Sequence, residues 1–393
     1  MAWFGGVCED VGMSKEESQL DRWRREIEEL DRRLLATVAR RSEVVRRVAA
    51  AKEEEGDRPL FDRKRERQVY ERAESVADSL GLPRSVARQL METVIEHSHQ
   101  VQEAISQASS LIETAESSRR FVIVGGGGRM GRLLGEALTA RGHEIDVIEA
   151  DDQRDRGEVL ADAEIVIVAV PMHAACEVLR EITPLVPANA LLCDINSLKE
   201  DVCAVMEEHG TCEAIGLHPM FGPSVRSLRR QKLVVCPVRR GPLGEWVQRE
   251  FGQLGMELIE SDPTTHDRMM AIVQVLVHYS TLVMGRSLQQ SGIEAGQTLR
   301  FTSPIYRLEL TFIGRLFAQN PDLYAEIEMT NPHGRAAIER FQRASGEIGS
   351  IIAAGDREAF RDVFREVSAY FADFSEDAMT MSDSIIDTIV TQP

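Results

Sequence analysis

The fold of the larger part of this chain is decided by one stretch, Phe121-Val122-Ile123-Val124-Gly125-Gly126-Gly127-Gly128-Arg129-Met130-Gly131-Arg132-Leu133-Leu134. Its four apolar residues predict a short buried strand, and the residues after the glycines predict a helix. Gly126, Gly128 and Gly131 match the G-x-G-x-x-G spacing in the strand–turn–helix context that binds a dinucleotide. In that motif the first glycine allows a tight turn, the second admits a pyrophosphate, and the third lets helix and strand pack closely.

A carboxylate at the end of the next strand is the second feature of this motif. The apolar run 145–148 ends in Glu149, about 20 residues on, where an acidic side chain accepts hydrogen bonds from an adenosine ribose. Asp151 and Asp152 follow and would repel a 2′-phosphate, so the sequence favours NAD over NADP. A glycine-rich turn without a ligand is the alternative. The candidate cofactor-binding residues are Gly126, Gly128, Arg129, Met130, Gly131 and Glu149.

Composition and charge are those of an ordinary globular protein. The 393 residues are enough for two or three domains, with 43% hydrophobic and 28% charged residues. The formal net charge of -18 argues against general binding to nucleic acid or to anionic membranes, and it is also compatible with a salty cytoplasm.

Cysteine usage and the first residues indicate the compartment. Six cysteines occur without a C-x-x-C pair, which favours free thiols in a reducing cytosol and argues against a metal site. Glu9 and Asp10 stand where a targeting segment would be basic, and no apolar run approaches 18 residues, so we expect neither a signal peptide nor a membrane span. The expected location is the cytoplasm.

The first hundred residues predict helices. From about Ser18 to Lys52, apolar residues recur at three- and four-residue steps without proline or glycine, which predicts one helix roughly 50 Å long. Such a helix is too long for a compact module of this size, so we expect it to pack against a second chain. Turns at 56–59 and 81–83 separate a second and a third helix.

Charged and polar side chains extend the apolar stripes of these helices. Arg41 and Lys52 continue the stripe of the first helix, about 20° apart around its axis, and Arg24 points roughly a quarter-turn away. Snorkelling to solvent is the alternative for both stripe residues. Together the three helices predict a pocket for a small dianion with a hydrogen-bonding end. The further residues that the helices offer to this pocket are Arg65, Glu66, Ser98 and Gln102, and Asp62 stands at the start of the second helix.

This segment resembles the all-helical chorismate mutase domain of bifunctional aromatic-biosynthesis enzymes, over about residues 18–105. The resemblance implies that a partner subunit supplies Arg24 and that Lys52 contacts the ether oxygen of chorismate. It also implies that Arg41 and Arg65 bind the two carboxylates. The rearrangement to prephenate needs a held conformer and charge stabilisation at that oxygen, without a nucleophile or a general base. The remaining pocket positions fall on Asp62, Glu66, Ser98 and Gln102.

After residue 119, apolar runs alternate with helical patterns, which predicts a doubly wound parallel sheet. Ligands bind at the carboxyl ends of such strands, and Ser197 and His218 lie at two of these ends. A histidine beside the expected nicotinamide is a candidate base, and a structural histidine is the alternative. From residue 262 the pattern is helical, and this part carries Gln274, His278 and Arg307, the last suited to binding a carboxylate.

This half resembles prephenate dehydrogenase through the stretches G-G-G-G-R-M-G, D-I-N-S-L-K, G-L-H-P-M-F-G-P, H-D-R-M-M-A and S-P-I-Y-R-L-E-L. The resemblance implies that His218 assists deprotonation of the substrate's ring hydroxyl and that Ser197 orients His218. Arg307 would bind a substrate carboxylate. Gln274 and His278 would line the pocket, although Gln274 stands where some relatives have serine.

The two resemblances predict a cytoplasmic homodimeric enzyme with chorismate and prephenate as substrates and L-tyrosine as feedback inhibitor. It would convert chorismate to prephenate and then, with NAD, prephenate to 4-hydroxyphenylpyruvate, binding no metal, nucleic acid or membrane. A dehydrogenase that prefers arogenate, the aminated analogue of prephenate, and a non-catalytic NAD-binding regulatory subunit stay open as alternatives.

The expected fold is therefore multidomain. An all-α, three-helix mutase domain that forms an intertwined dimer is expected at 14–105. An α/β Rossmann domain that binds NAD follows at 119–262, and an all-α substrate-binding and dimerisation domain at 263–393.

Overall fold

The computed structural model describes residues 19–54, 63–114, 118–225 and 227–391. The chain divides into two compact units, Met1–Ser117 and Ser118–Pro393. The predicted mutase domain falls in the first unit, and the predicted Rossmann and C-terminal domains fall in the second. The residue limits chosen for the three domains stay predictions.

In its described residues the first unit consists of three helices, α1 (Gln19–Glu54), α2 (Arg63–Leu80) and α3 (Arg84–Thr114). Helix α3 packs against both others. The N-terminal half of α1 presents its apolar stripe to solvent, with Trp23 54% exposed and Leu20, Ile27, Leu30 and Leu34 similarly open. An apolar stripe of this length fits a surface that packs against another protein chain.

A seven-stranded sheet with the order β2-β1-β3-β4-β5-β6-β7 forms the centre of the second unit. Strands β1 to β5 are parallel, as predicted. Strand β6 runs antiparallel to β5, and β7 is parallel to β6, so the prediction of a wholly parallel sheet is wrong at this edge. The strands are β1 (Arg120–Val124), β2 (Glu144–Ile148), β3 (Ile165–Val168), β4 (Leu191–Asp194), β5 (Glu213–Pro219), β6 (Lys232–Arg239) and β7 (Glu257–Glu260).

Helices cover both faces of this sheet. Strands β1, β3 and β4 are buried on both sides, which explains why they are continuous apolar runs instead of alternating ones. Two apolar clusters, one on each face, pack the strands against the helices. The covering helices are α4 (Arg129–Ala140), α5 (Arg156–Leu160), α6 (Met172–Ile182), α7 (Glu200–His209) and α8 (Pro242–Gln253).

The rest of the second unit is helical. A continuous helix begins with α9 (Pro263–Met270), passes through a π-helical turn at Ala271–Leu276, and ends with α10 (Val277–Gln290). Large apolar side chains in this region are exposed to solvent, and Phe301 is 90% exposed. The later helices of this region are α11 (Ala295–Thr298), α12 (Pro304–Phe317), α13 (Pro321–Thr330), α14 (Gly334–Ala354), α15 (Arg357–Tyr370) and α16 (Ala372–Thr391).

One helix in the described part of the chain, Pro263–Gln290, is long and apolar enough to cross a membrane by length and mean hydropathy alone. The apolar runs of the sequence did not predict such a candidate. His266, Asp267 and Met270 of this helix are buried, and the first two hydrogen-bond to residues around the sheet. We therefore assign this helix to packing within the folded unit.

Candidate active sites

The glycine loop joins β1 to α4. Gly125 adopts φ +81, a left-handed conformation that favours glycine, so the tight turn falls on Gly125 and not on Gly126 as predicted. A Cβ on Gly131 would lie 2.7 Å from the Cα of Gly126. Helix α4 therefore packs against the loop backbone at a distance that only glycine permits.

The N-terminus of α4 is open to an anion. Gly128 is its N-cap, and among the described residues no side chain caps the helix. The first N–H groups of a helix bind phosphate readily, because they lack intrahelical acceptors and lie at the positive end of the dipole. Arg129, which is exposed, and Met130 are the first residues of this helix. The loop thus fits a pyrophosphate.

Glu149 follows β2 and lies beside this loop. Its carboxylate accepts a hydrogen bond from the backbone N–H of Gly127, and a Cβ on Gly127 would lie 2.7 Å from Glu149 Oε1. The carboxylate is therefore at the position expected of the ribose acceptor.

Recognition of the 2′-phosphate of NADP would need a free cation in this region, and Arg154 is the candidate. It is paired instead with Asp152 at 2.6 Å and with Asp146 at 3.0 Å. Hydrogen bonds from Arg154 lower the pKa of Asp152 to about 2. Because both partners are already carboxylates, this surface offers little to an additional phosphate, which fits NAD better than NADP.

His218 lies near the end of β5 and takes part in a buried chain of hydrogen bonds. Its Nδ1 lies 2.9 Å from Nε2 of His266, and Nδ1 of His266 lies 2.7 Å from Oδ1 of Asp267. All three residues are at most 3% exposed. Asp267 also accepts from the backbone N–H groups of Lys199 and Glu200, at 2.8 and 2.9 Å, so it holds the start of α7.

This chain of hydrogen bonds determines which nitrogen of each histidine carries the proton. A carboxylate only accepts, so Nδ1 of His266 donates to Asp267 and Nε2 of His266 is left as an acceptor. Nδ1 of His218 then donates to His266, and Nε2 of His218 keeps a lone pair. Burial holds the pKa of His218 well below its usual 6.5, and the ammonium group of Lys199 acts in the same direction. The ring is therefore a neutral base at physiological pH.

A buried ion pair supports the strand end that carries His218. Lys199 Nζ lies 2.5 Å from Asp194 Oδ2 and donates to the carbonyl of Leu217 at 2.8 Å. Asp194 Oδ2 also accepts from the N–H of Asn196 at 2.9 Å. Burial raises the pKa of Asp194 in spite of the adjacent ammonium group. The ends of β4 and β5 are thus joined directly behind His218.

Two other predicted pocket residues lie on the continuous helix that begins with α9. Gln274, in the π-helical turn, places Nε2 3.5 Å from Nε2 of His218. His278 on α10 lies 3.3 Å from Glu328 through Nδ1, and its ring contacts the Tyr324 ring at a centroid distance of 4.8 Å.

No described hydrogen bond joins Ser197 or Arg307 to His218. The described hydrogen-bond partners of His218 are His266 and Gln274, and the role of Ser197 stays a prediction. Arg307 is exposed on α12, and no contact of the described residues connects it to His218. It lies about 180° around the helix from Leu316, which is buried. Its role as a carboxylate ligand stays a prediction.

The first unit brings together two predicted mutase residues. The Arg41 guanidinium on α1 donates to Ser98 Oγ on α3 and lies 3.3 Å from the carbonyl of Val94. Burial lowers the pKa of Arg41. Arg41 is thus half-buried and not a snorkelling surface residue.

Two other predicted mutase residues, Arg24 and Arg65, lie on exposed helix surfaces. Arg24 is exposed on the open half of α1, 3.6 Å from Asp21, and Arg65 is exposed on α2 beside Gln68. Asp62 and the side chains of Lys52, Glu66 and Gln102 lie outside the described residues.

His266, Asp267 and Glu328 are the candidate residues that the sequence analysis missed. The H-D-R-M-M-A stretch contained the first two, and adjacent ionisable residues at the start of an apolar helix were the available signal. Their contact with His218 depends on the fold, because 48 residues separate the two histidines.

Three known families match successive parts of the chain. Chorismate mutase type II matches residues 23–103. The nucleotide-binding domain of prephenate dehydrogenase matches residues 136–248, and the dimerization domain of prephenate dehydrogenase matches residues 262–366.

Individual proteins agree with these families. The T-protein of Haemophilus influenzae is 32% identical over 364 residues, 92% of this chain and 95% of that protein. A probable arogenate/prephenate dehydrogenase of Methanocaldococcus jannaschii is 32% identical over 289 residues, 69% of this chain and 65% of that protein. Prephenate dehydrogenase of A. aeolicus, solved with hydroxyphenyl propionate and NAD+, shares the fold with a TM-score of 0.52 and 17% identity, over 65% of this chain and 98% of that one.

The order of domains, the NAD-binding loop and the near full-length match lead to one conclusion. The chain belongs to the T-protein family, the bifunctional chorismate mutases and prephenate dehydrogenases of tyrosine biosynthesis.

Proposed function

We propose that His218 is the proton acceptor in the dehydrogenase reaction and that His266 and Asp267 orient it. The observation that carries this proposal is the buried line from Asp267 through His266 to Nδ1 of His218, at 2.7 and 2.9 Å. This chain of hydrogen bonds leaves the lone pair of His218 on Nε2, which faces Gln274. The depressed pKa of His218 supports a ring that is ready to accept a proton.

The chemistry follows from the structure of prephenate. One ring carbon carries a hydrogen and a hydroxyl, and the opposite carbon carries a carboxylate. NAD held at the glycine loop would supply the acceptor for the hydride of the first carbon. His218 Nε2 takes the hydroxyl proton as the carbonyl forms, and Asp267 stabilises the resulting charge through His266. The carboxylate leaves as carbon dioxide, its bonding pair restores the aromatic ring, and His218 returns the proton to the phenolate of 4-hydroxyphenylpyruvate.

The cofactor site is built from the glycine loop and the two elements beside it. We assign the pyrophosphate to the N-terminus of α4, because its first N–H groups are not capped by a described side chain. We assign the adenosine ribose to Glu149, whose carboxylate lies within hydrogen-bonding distance of Gly127.

For the mutase we propose a site formed around Arg41 and Ser98, completed by Arg24 of a second copy. The exposed apolar half of α1 supports this, because Arg24 lies on it. Lys52, Arg65, Glu66, Asp62 and Gln102 keep the roles that the resemblance gives them. The enzyme would then be a homodimer, and the match to a dimerization domain supports that state.

Two further properties belong to the same proposal. The enzyme is cytoplasmic, and L-tyrosine inhibits it. Tyrosine carries the phenol ring that the dehydrogenase reaction creates, so a site that handles this hydroxyl through His218 would also accept tyrosine.

The mutase is tested by Arg41→Ala. Loss of a charge-assisted contact to a substrate carboxylate should lower mutase turnover on the order of 10²-fold or more, while oxidation of added prephenate continues. The matched control is Arg40→Ala, because Arg40 is exposed and pairs with Glu43, three residues away on the same helix, at 2.7 Å. Separate assays of the two reactions measure this, and equal losses of both activities in Arg41→Ala would contradict separate sites.

The cofactor assignment is tested by Glu149→Ala. The Michaelis constant for NAD should rise and the preference over NADP should weaken, because the ribose acceptor is lost. Glu144→Ala, at the other end of β2, is the control. It should leave the Michaelis constant for NAD and the preference over NADP unchanged. Steady-state rates with the two cofactors measure the effect, and an unmodified enzyme that already prefers NADP would refute the assignment.

The base is tested by His218→Asn. Turnover with prephenate should fall about 10²–10⁴-fold while the Michaelis constant changes modestly, because asparagine still hydrogen-bonds to the hydroxyl. In the unmodified enzyme, kcat/KM should stay high as pH falls through 6.5 and drop only at lower pH, since the pKa of His218 is lowered. His209→Asn, on the surface of α7, is the control and should change neither turnover with prephenate nor the pH dependence of kcat/KM. Near-normal turnover of His218→Asn with the same acidic limb would remove His218 as the base.

A further inference from the structure

The corner between α13 and α14, residues 331–333, contains a buried amide. Asn331 is only 5% exposed, although connections between helices usually run over the surface. Its Oδ1 accepts from the backbone N–H of His333 at 2.8 Å, and its Nδ2 donates to the backbone carbonyl of Asp267 at 2.9 Å. The first contact forms a turn within the corner, and the second crosses 64 residues of sequence to α9.

The two partners of this amide fix its orientation. A backbone N–H group only donates and a backbone carbonyl only accepts, so the side-chain oxygen must face His333 and the nitrogen must face Asp267. An ionised carboxylate of the same shape would keep the first contact and lose the second. Asn331 therefore supplies a hydrogen-bond donor that aspartate cannot supply.

The carbonyl that receives this donor lies where α9 changes into the π-helical turn. It also accepts from the backbone N–H of Ala271, the first residue of that turn. A π-helical turn is rare and is often found at functional sites. Asn331 thus holds the main chain of Asp267 at the point where the helix departs from its regular geometry.

The carboxylate of Asp267 is held separately, by α7. It accepts from the backbone N–H groups of Lys199 and Glu200 and from the ring of His266. The same end of α7 is tied to the corner, because Oε1 of Glu200 lies 2.8 Å from Nε2 of His333. The main chain and the side chain of Asp267 are therefore fixed by two elements that are also bonded to each other.

We propose that Asn331 is a positioning residue for the dehydrogenase reaction, which holds Asp267 so that the chain of hydrogen bonds to His218 keeps its direction. The described partners of Asn331 are Asp267 and His333, so it acts on His218 through Asp267 and His266. A shift of Asp267 would turn His266, and Nε2 of His218 would then be misaligned with the substrate's hydroxyl. A misplacement of about 1 Å can lower a rate about 10²-fold. The proposal rests on the assignment of His218 as the base.

The experiment compares Asn331→Asp with Asn331→Ala in the full-length enzyme at pH 8, where the introduced carboxyl group is ionised. The first variant keeps the acceptor for His333 and loses the donor to Asp267, and the second loses both. Each should lower turnover with prephenate about 10-fold or more, with modest changes in the Michaelis constants for prephenate and NAD. Near-normal turnover in Asn331→Asp would overturn the proposal, because the amide would then serve only the turn within the corner.

Asn320→Ala is the matched control. Asn320 begins α13 with the same kind of turn, since its Oδ1 accepts from the backbone N–H of Asp322 at 2.9 Å, and it is exposed. This variant should keep normal turnover with prephenate. A loss as large as that of Asn331→Ala would contradict the proposal, because loosening of α13 alone would then explain both.

A double variant separates positioning from a general loss of structure. Asn331→Ala added to Asp267→Asn should lower turnover by no more than about 2-fold further, because its effect passes through a carboxylate that is already absent. Losses that multiply would overturn the proposal, since Asn331 would then act by another route. If Asn331→Ala does not fold, Asn331→Ser, whose hydroxyl keeps the turn to His333, replaces it in each comparison. Failure of the base assignment is distinct, because prephenate turnover would then survive in His218→Asn.

Discussion

The carboxylate of Asp267 is the constraint on which the dehydrogenase half depends. It accepts from two backbone N–H groups at the start of α7 and from His266. Because it only accepts, it determines which nitrogen of His266 carries a proton, and through His266 which nitrogen of His218 does. The same side chain connects α9, the first helix after the Rossmann domain, to the start of α7. One carboxylate thus sets both the packing of this helix and the direction in which His218 presents its lone pair.

The strand end that carries His218 is held by charges that are fully buried. Lys199 bonds to Asp194 and to the carbonyl directly before His218. Such a pair adds little net stability, because both charges lose their hydration, but removal of one partner leaves the other uncompensated. Its contribution is geometric: it fixes β4 and β5 against each other, so that the base stands on a rigid strand and not on a loop.

Local patterns in the sequence predicted most of the fold, and contacts between distant residues account for what they missed. The glycine loop, Glu149 and His218 were found because each lies at a recognisable place in a strand–turn–helix pattern. The direction of β6 was not, since an apolar run has no polarity. His266 reaches His218 across 48 residues, and Arg307 lies on the exposed face of α12. The residue spacing within one helix contains neither fact, and nothing in the local pattern of α13 distinguishes Glu328.

The orientation of His218 by Asp267 is tested most directly by Asp267→Asn. An amide can donate to Nδ1 of His266. His266 would then donate through Nε2 to Nδ1 of His218, and the proton of His218 would move to its Nε2. Turnover with prephenate should fall about 10²-fold or more, with little change in the Michaelis constants for prephenate and NAD and with unchanged mutase activity. Turnover close to that of the unmodified enzyme would contradict this role of Asp267, because His218 would then find its tautomer without Asp267.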